Sequence, residues 1–303
     1  STQRRRHGRR ARGRALPRCD RRGGLTLHAA LHIDPPLAAI PALLAADGLR
    51  HFQTTLRNPQ RFGNTDVPGP EDRAAYLAAA AGGPPLWGIV HGTLLANLAS
   101  PEGRIRNASV SSVLGDLRLA RELGLVAVCF HPGYAKGHPD RGTALAQTAR
   151  KLVALLEQAP DGVRVVLENT CEGSELCADL EEMAGLVQAV GAAPERLGVL
   201  IDTCHLHAAG FDLAGPEAGE RLVDGLVRNR LLERLVGFHL NDCKGPVGCR
   251  RDRHAAPGEG SIEAGLIAIG RHPAFRDHPA VLEVGPEEAR RGIAYLTRGG
   301  ALA

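Results

Sequence analysis

The sequence predicts a single (β/α)8 TIM barrel, and three observations carry that expectation. Between residue 24 and the end of the 303-residue chain, eight short apolar runs alternate with Ala- and Leu-rich segments of helical periodicity. No long low-complexity stretch divides them, so one domain is expected over residues 24–303. The apolar runs are near-continuous rather than alternating, as strands covered on both faces require.

The strands follow in order. LTLHAALHI (25–33) opens the series, and RHFQTTL (50–56) carries the weakest pattern of the eight. PLWGIVH (85–91), LVAVCFH (125–131), VRVVLE (163–168) and LGVLID (197–202) form the middle of the set, and LVGFHL (235–240) and AVLEV (280–284) complete it. Between them SSVLGDLRLARELG (111–124) and TARKLVALLEQA (148–159) repeat apolar residues at three and four, the helical period.

Residues 1–23 stand apart, with 10 Arg against one Asp. Without them the formal charge of +4 becomes 27 basic against 32 acidic residues, a body of about −5. A run so poor in apolar residues is expected to be a disordered tail. It reads as an electrostatic arm for nucleic acid, or as an accidental extension of an Arg- and Ala-rich chain. It lacks the apolar core of a secretory signal, whereas transit peptides share its Arg-rich, acid-poor composition. No apolar run approaches the ~20 residues of a membrane span, so no membrane association is expected. Seven cysteines, an odd number without paired short spacings, point to a reducing compartment.

In a barrel of this kind, functional side chains gather at the C-terminal ends of the strands. The third to eighth strands bring His91, His131, Glu168, Asp202, His239 and Glu283 there in turn. One such residue alone is an ordinary strand end or a helix cap. Six together, buried without cations, suffer desolvation and mutual repulsion, which a divalent metal removes. Mixed His and carboxylate ligation suits zinc or manganese. Further on, Asp252 and His254 lie two apart in the loop 239–262, and His205 follows Asp202 by three. These three supply a separate donor set, enough for more than one metal. His207 and His138 are read without a metal role.

The motifs HGTLLANLAS (91–100), FHPG (130–133), LENT (167–170), IDTCH with AAGFD (201–212), HLND (239–242), DRH with GEG (252–260) and LE (282–283) occur in that order. Together they resemble the endonuclease IV family of apurinic/apyrimidinic endonucleases, xylose-isomerase-like barrels of base excision repair. The resemblance implies three zinc ions per chain, with manganese as the alternative. His91 and His131 would hold the first, and Glu168 would bridge it to the second. Asp202, His239 and Glu283 would complete the second, while His205, Asp252 and His254 would bind the third.

The implied activity is hydrolysis of the phosphodiester 5′ to an abasic site in double-stranded DNA, with removal of 3′-blocking groups. Glu168 and Glu283 are the implied catalytic residues, positioning the attacking hydroxide. The family commonly has an aromatic residue where this chain has Leu94, so Leu94 and Leu95 are expected to act as an apolar wedge in the DNA gap. In RNPQRF (57–62), Arg57, Gln60 and Arg61 are candidate DNA contacts. In the first strand, which also holds His28 and His32, Ala30 falls where the family usually has His. A monomer is implied, in the cytoplasm and at the nucleoid if the source is bacterial. Two other readings compete: a single-metal sugar or keto-acid isomerase of the xylose-isomerase-like class, and a non-catalytic lesion-binding protein.

Overall fold

Apolar runs pair as parallel strands where helices can cover both ends of each connection, and this chain supplies both parts in alternation. The computed structural model describes residues 26–34, 36–62 and 67–302. The strands in chain order are β1 (His28–His32), β2 (His51–Thr54), β3 (Trp87–His91), β4 (Ala127–Phe130), β5 (Arg164–Glu168), β6 (Leu197–Asp202), β7 (Leu235–His239), β8 (Asp242–Cys243), β9 (His254–Ala255) and β10 (Pro279–Leu282). Eight of them close into an all-parallel barrel ordered β1-β10-β7-β6-β5-β4-β3-β2, and β8 and β9 form a small antiparallel pair. The helices are α1 (Ile40–Ala46), α2 (Pro70–Ala81), α3 (Gly103–Leu123), α4 (Arg141–Gln158), α5 (Leu180–Val190), α6 (Thr203–Ala209), α7 (Ala218–Arg228), α8 (Ala264–Arg271) and α9 (Pro286–Arg298). The architecture is the (β/α)8 barrel that the sequence predicts.

Boundaries differ from the sequence expectations for physical reasons. α3 and α4 begin eight and seven residues before the expected starts of 111 and 148. Apolar periodicity marks only the part of a helix that packs, and the first turns of both helices are largely exposed. α4 starts where Asp140 accepts the Thr143 N–H at 2.8 Å, a capping bond independent of periodicity. The strands at the fourth and eighth positions stop at Phe130 and Leu282, so His131 and Glu283 stand just beyond the ladder. The seventh connection, read as an extended loop, contains the β8–β9 hairpin with Cys243 opposite His254.

Two apolar layers hold the barrel. Inside it, Ala30, Ile89, Ala127, Cys129, Val166, Leu200 and Val281 fill the space beneath the rim. Outside it, Phe52, Val128, Leu167, Ile201 and Phe238 pack against helical residues such as Leu117, Leu152 and Leu222. Burying each large apolar side chain contributes about 1.5–3 kcal/mol, so these layers dominate stability. The layered packing leaves the C-terminal strand ends free to carry polar groups. No described helix is long and apolar enough to cross a membrane. The six described cysteines are free thiols. The Arg-rich run 1–23, its expected disorder and Cys19 lie outside the described residues.

Candidate metal centre

All nine side chains expected to ligate metal meet at one end of the barrel. They form three sets, each with donor atoms within 4.8 Å of one another, the first two joined by Glu168: His91, His131 and Glu168; Glu168, Asp202, His239 and Glu283; and His205, Asp252 and His254. Glu168 stands at the middle. Its Oε2 lies 3.3 Å from His91 Nε2 and 3.4 Å from His131 Nε2, while its Oε1 lies 2.8 Å from His239 Nδ1. On the other flank His254 Nε2 is 3.1 Å from Asp252 Oδ1 and 3.4 Å from Asp202 Oδ2. A cleft of about 360 Å³ opens over this set, lined also by His32, Pro59 and Leu94.

Local structure explains how single residues serve twice. Asp202 ends β6 and caps α6, its Oδ1 accepting the His205 N–H at 2.8 Å. Its Oδ2 faces the cluster, 3.8 Å from His239 Nδ1. One oxygen of the carboxylate therefore caps the helix while the other is left facing the cluster. One helical turn then places His205 on the same rim.

Main-chain carbonyls fix two of the imidazoles. His91 Nδ1 lies 2.9 Å from its neighbour Gly92 O, and His205 Nδ1 lies 2.9 Å from Asn169 O. Each ring donates there from Nδ1 and presents Nε2 to the carboxylates. On the far side of His131, Glu175 Oε1 lies 3.9 Å from Nδ1.

The electrostatics call for cations. Burial alone works to raise Glu168, but the charges of His239 and His131 and their hydrogen bonds hold it well below the usual carboxylate range. Glu283 is likewise raised by burial and pulled down, first by His239, to about 2. For Asp252 burial is again the largest opposing influence, and the bond and charge of His205 bring it to about 2. Burial lowers His239, yet the charges of Glu168 and Glu283 carry it up to about 9. His91 and His205 rise for the same reason, the former against Glu168 and the latter against Asp202 and Asp252. With protein groups alone, the carboxylates stay ionised only if imidazoles take protons. Neutral imidazole and carboxylate oxygen are the donors that zinc and manganese accept, so the residues fit divalent ions.

The other sequence candidates fall variously. Leu94 and Leu95 are 44% and 39% exposed beside the cleft, an unusual place for two leucines in a chain that buries most of its large apolar residues. Their loop is tied to the loop after β2, with Leu94 N–H donating to Pro59 O at 3.0 Å and Thr93 Oγ1 to the same oxygen at 2.8 Å. Gln60 and Arg61 are exposed on that second loop. Arg57 departs from expectation: it is buried, and its Nε pairs with Asp116 Oδ1 at 2.7 Å. It braces α3 from within. His32 lines the cleft, whereas His28, at the opposite end of β1, stacks on His51 with ring centroids 4.7 Å apart. His207 is buried with Leu213 N–H at 3.2 Å from Nδ1 and Ser261 Oγ at 3.2 Å from Nε2, a satisfied core histidine. His138 bonds the Ala99 carbonyl.

Several residues that shape the site escape sequence reasoning. Asn241 Nδ2 donates to Asp202 Oδ2 at 2.7 Å and Glu283 Oε2 at 3.2 Å, and its Oδ1 accepts the Glu283 N–H at 2.9 Å. Asn169 and Asp242 act similarly on neighbouring main chain. All three lie inside LENT or HLND, so their position was visible but their partners were not. Gln53, in the weakest strand pattern, carries no signal in the sequence. Gly133, at φ 126°, explains the glycine of FHPG: a Cβ there would meet Asn97 Oδ1 and, at 3.0 Å, the Asn97 backbone, where the loop after β4 crosses the loop after β3.

A barrel of this topology with this rim is a xylose isomerase-like TIM barrel, and the family model of that description matches residues 41–299. A probable endonuclease 4 of Streptomyces avermitilis is 35% identical over 244 residues, covering 79% of this chain and 77% of the relative. One from Thermoplasma acidophilum is 31% identical over 255 residues, covering 82% and 85%. The crystal structure of endonuclease IV from Thermus thermophilus superposes with a TM-score of 0.78 at 28% identity, covering 90% of this chain and 98% of that one. The chain belongs to the endonuclease IV family within these barrels.

Proposed function

We propose that the protein is a metal-dependent DNA repair endonuclease that cuts the phosphodiester 5′ to abasic sites in double-stranded DNA. One observation carries the reading: nine His, Asp and Glu side chains, six at strand ends, His205 on α6 and two in the loop after β7, gather at one rim in three sets, two of them sharing Glu168, beside one cleft. Three divalent ions, zinc or manganese by donor type, would occupy them as His91–His131–Glu168, Glu168–Asp202–His239–Glu283 and His205–Asp252–His254. Such ions supply Lewis-acid polarisation of a phosphoryl oxygen and a nucleophilic water at neutral pH.

The protein's own residues do the rest. Glu168 and Glu283 face each other across His239 Nδ1, at 2.8 and 3.1 Å, and would hold the attacking water between them. Leu94 and Leu95 offer apolar surface to the gap left by a missing base. Gln60 and Arg61, exposed on the loop tied to theirs, would contact the same DNA strand. The same hydrolytic geometry extends to 3′-blocking groups, which present an equivalent phosphodiester. Three ions would add six positive charges to a body of about −5, giving a rim that attracts phosphate.

A single-metal isomerase has no use for the His205–Asp252–His254 set, which the loop holds against Asp202. The deciding experiment measures metal content by elemental analysis and incision of an abasic duplex before and after chelation. Close to three zincs with chelator-sensitive cutting 5′ to the lesion is the expected result. One metal without incision overturns the reading in favour of the isomerase, and three metals with tight binding but no cut leaves a lesion binder.

A further inference from the structure

Gln53 sits on β2 fully buried, and its side-chain amide touches three ionisable groups. Nε2 lies 2.6 Å from Glu283 Oε1 and 3.0 Å from His32 Nδ1, and Oε1 lies 2.8 Å from His239 Nε2. A carboxylate only accepts hydrogen bonds, so the NH2 group must face Glu283, and its second N–H is given to His32. Beyond His32, Nε2 faces Asp34 Oδ1 at 3.3 Å at the edge of the cleft, which completes the chain of donors. The carbonyl oxygen is then the end left for His239, which must donate from Nε2.

This fixes the chemistry of the ring. His239 keeps its proton on Nε2, and Nδ1 points at Glu168 Oε1, Glu283 Oε2 and Asp202 Oδ2, at 2.8, 3.1 and 3.8 Å. His91 and His205 are held in the opposite sense by backbone carbonyls and present Nε2. Among the described residues no backbone carbonyl does that work for His239, and Ala30, on β1 beside Gln53's strand, adds only a methyl group to the interior. The same amide also turns Glu283, binding Oε1 and leaving Oε2 toward the cluster.

We infer that Gln53 is a positioning residue for metal: it selects the nitrogen of His239 and the oxygen of Glu283 offered to the ion shared with Glu168 and Asp202. The inference rests on the metal centre proposed above. Partners of this kind typically contribute about 10–100-fold to metal affinity.

The test uses the full chain as wild type, Gln53→Met, which keeps the length without polar atoms, and Gln53→Ala, which avoids any misfit of the methionine. Each protein is stripped of ions and titrated with Zn²⁺ against a chromophoric chelator, and with Co²⁺ followed by its ligand-field absorption. The melting midpoint of the ion-free form is recorded alongside. The expected result is one ion weakened about 10–100-fold with an altered Co²⁺ spectrum, the remaining ions binding as in wild type. Wild-type affinities and spectra in both variants overturn the inference, including when the ion-free midpoint falls, because that pattern marks a merely structural role. Fewer than three ions in the wild type itself counts against the metal centre instead. A wild-type to variant difference for whichever ion binds still supports the role of Gln53.

Discussion

Asp242 Oδ1 accepts the backbone N–H of Ile262 at 2.8 Å, joining the strand β8 to a point twenty residues further along the chain. The same carboxylate accepts from Cys243, Gly258, Gly260 and Glu263, at 2.8 to 3.3 Å. Gly260 is required for this approach, since a Cβ there would meet Asp242 Oδ1 and Cys243 O at 2.5 Å. The segment so fastened contains Asp252 and His254. Asp242→Ala is expected to cost about 3 kcal/mol or more, because it removes charge-assisted bonds and leaves buried N–H groups unpaired. The ion of the His205–Asp252–His254 set should be the first to weaken. Thermal melts and zinc titration check both effects, and an unchanged midpoint with full zinc occupancy refutes the fastening role.

Glu168 joins the His91–His131 set to the Asp202–His239–Glu283 set. Glu168→Gln keeps the shape and removes the charge, so turnover on an abasic duplex should fall at least about 100-fold while the circular dichroism stays that of the wild type. Near-native turnover would show that Glu168 is not at the reacting centre.

Leu94 stands exposed beside the cleft on a loop tied to Pro59. If it fills the gap of a missing base, Leu94→Tyr should sharpen the preference for abasic over intact duplex, since a larger flat side chain fills more of that gap. Competition binding with the two duplexes reads the ratio. An unaltered ratio removes the wedge from the account.

His51, at the N-terminal mouth of the barrel, is brought down to about 4 from an ordinary 6.5, first by burial and then by the charges of His28 and Arg50. Folded protein therefore keeps His51 neutral while the unfolded chain takes up a proton below pH 6.5. Stability from this residue is lost as pH falls from 6.5 to about 4 and levels off below, by at most about 3 kcal/mol. His51→Phe should flatten that limb in urea unfolding of the ion-free protein. Parallel pH curves for the two proteins would exclude His51 as its source.

The 10 Arg of residues 1–23 give the chain a concentrated positive run. Removing residues 1–22 should weaken duplex binding chiefly at low salt and make the dependence of affinity on salt shallower. Identical salt dependence with and without them would assign the run no part in DNA binding.

Much of this was legible in the sequence because barrel strands announce themselves: a strand covered on both faces must be apolar along its length, and polar residues collect where it ends. That is why VVLE, VLID and GFHLND marked both the strand and the site. The helices were half legible, since periodicity records only the packed turns, and α3 and α4 extend well past them. Arg57 reads from sequence as a DNA contact because a basic residue in a loop looks like any other until Asp116, 59 residues away, is seen against it.

By itself the sequence determined the barrel, the order of its eight strands and the six polar side chains at their ends, because these depend on composition within short windows and on their recurrence at successive strand ends. Tertiary structure alone decided how the donors are presented: which oxygen of Asp202 caps and which faces the cluster, which nitrogen His239 offers, and how Asp242 anchors its loop. Those choices depend on hydrogen bonds such as that from Gln53 to Glu283, 230 residues apart in the chain. Such partners share no local pattern, and only closure of the barrel brings them within bonding distance.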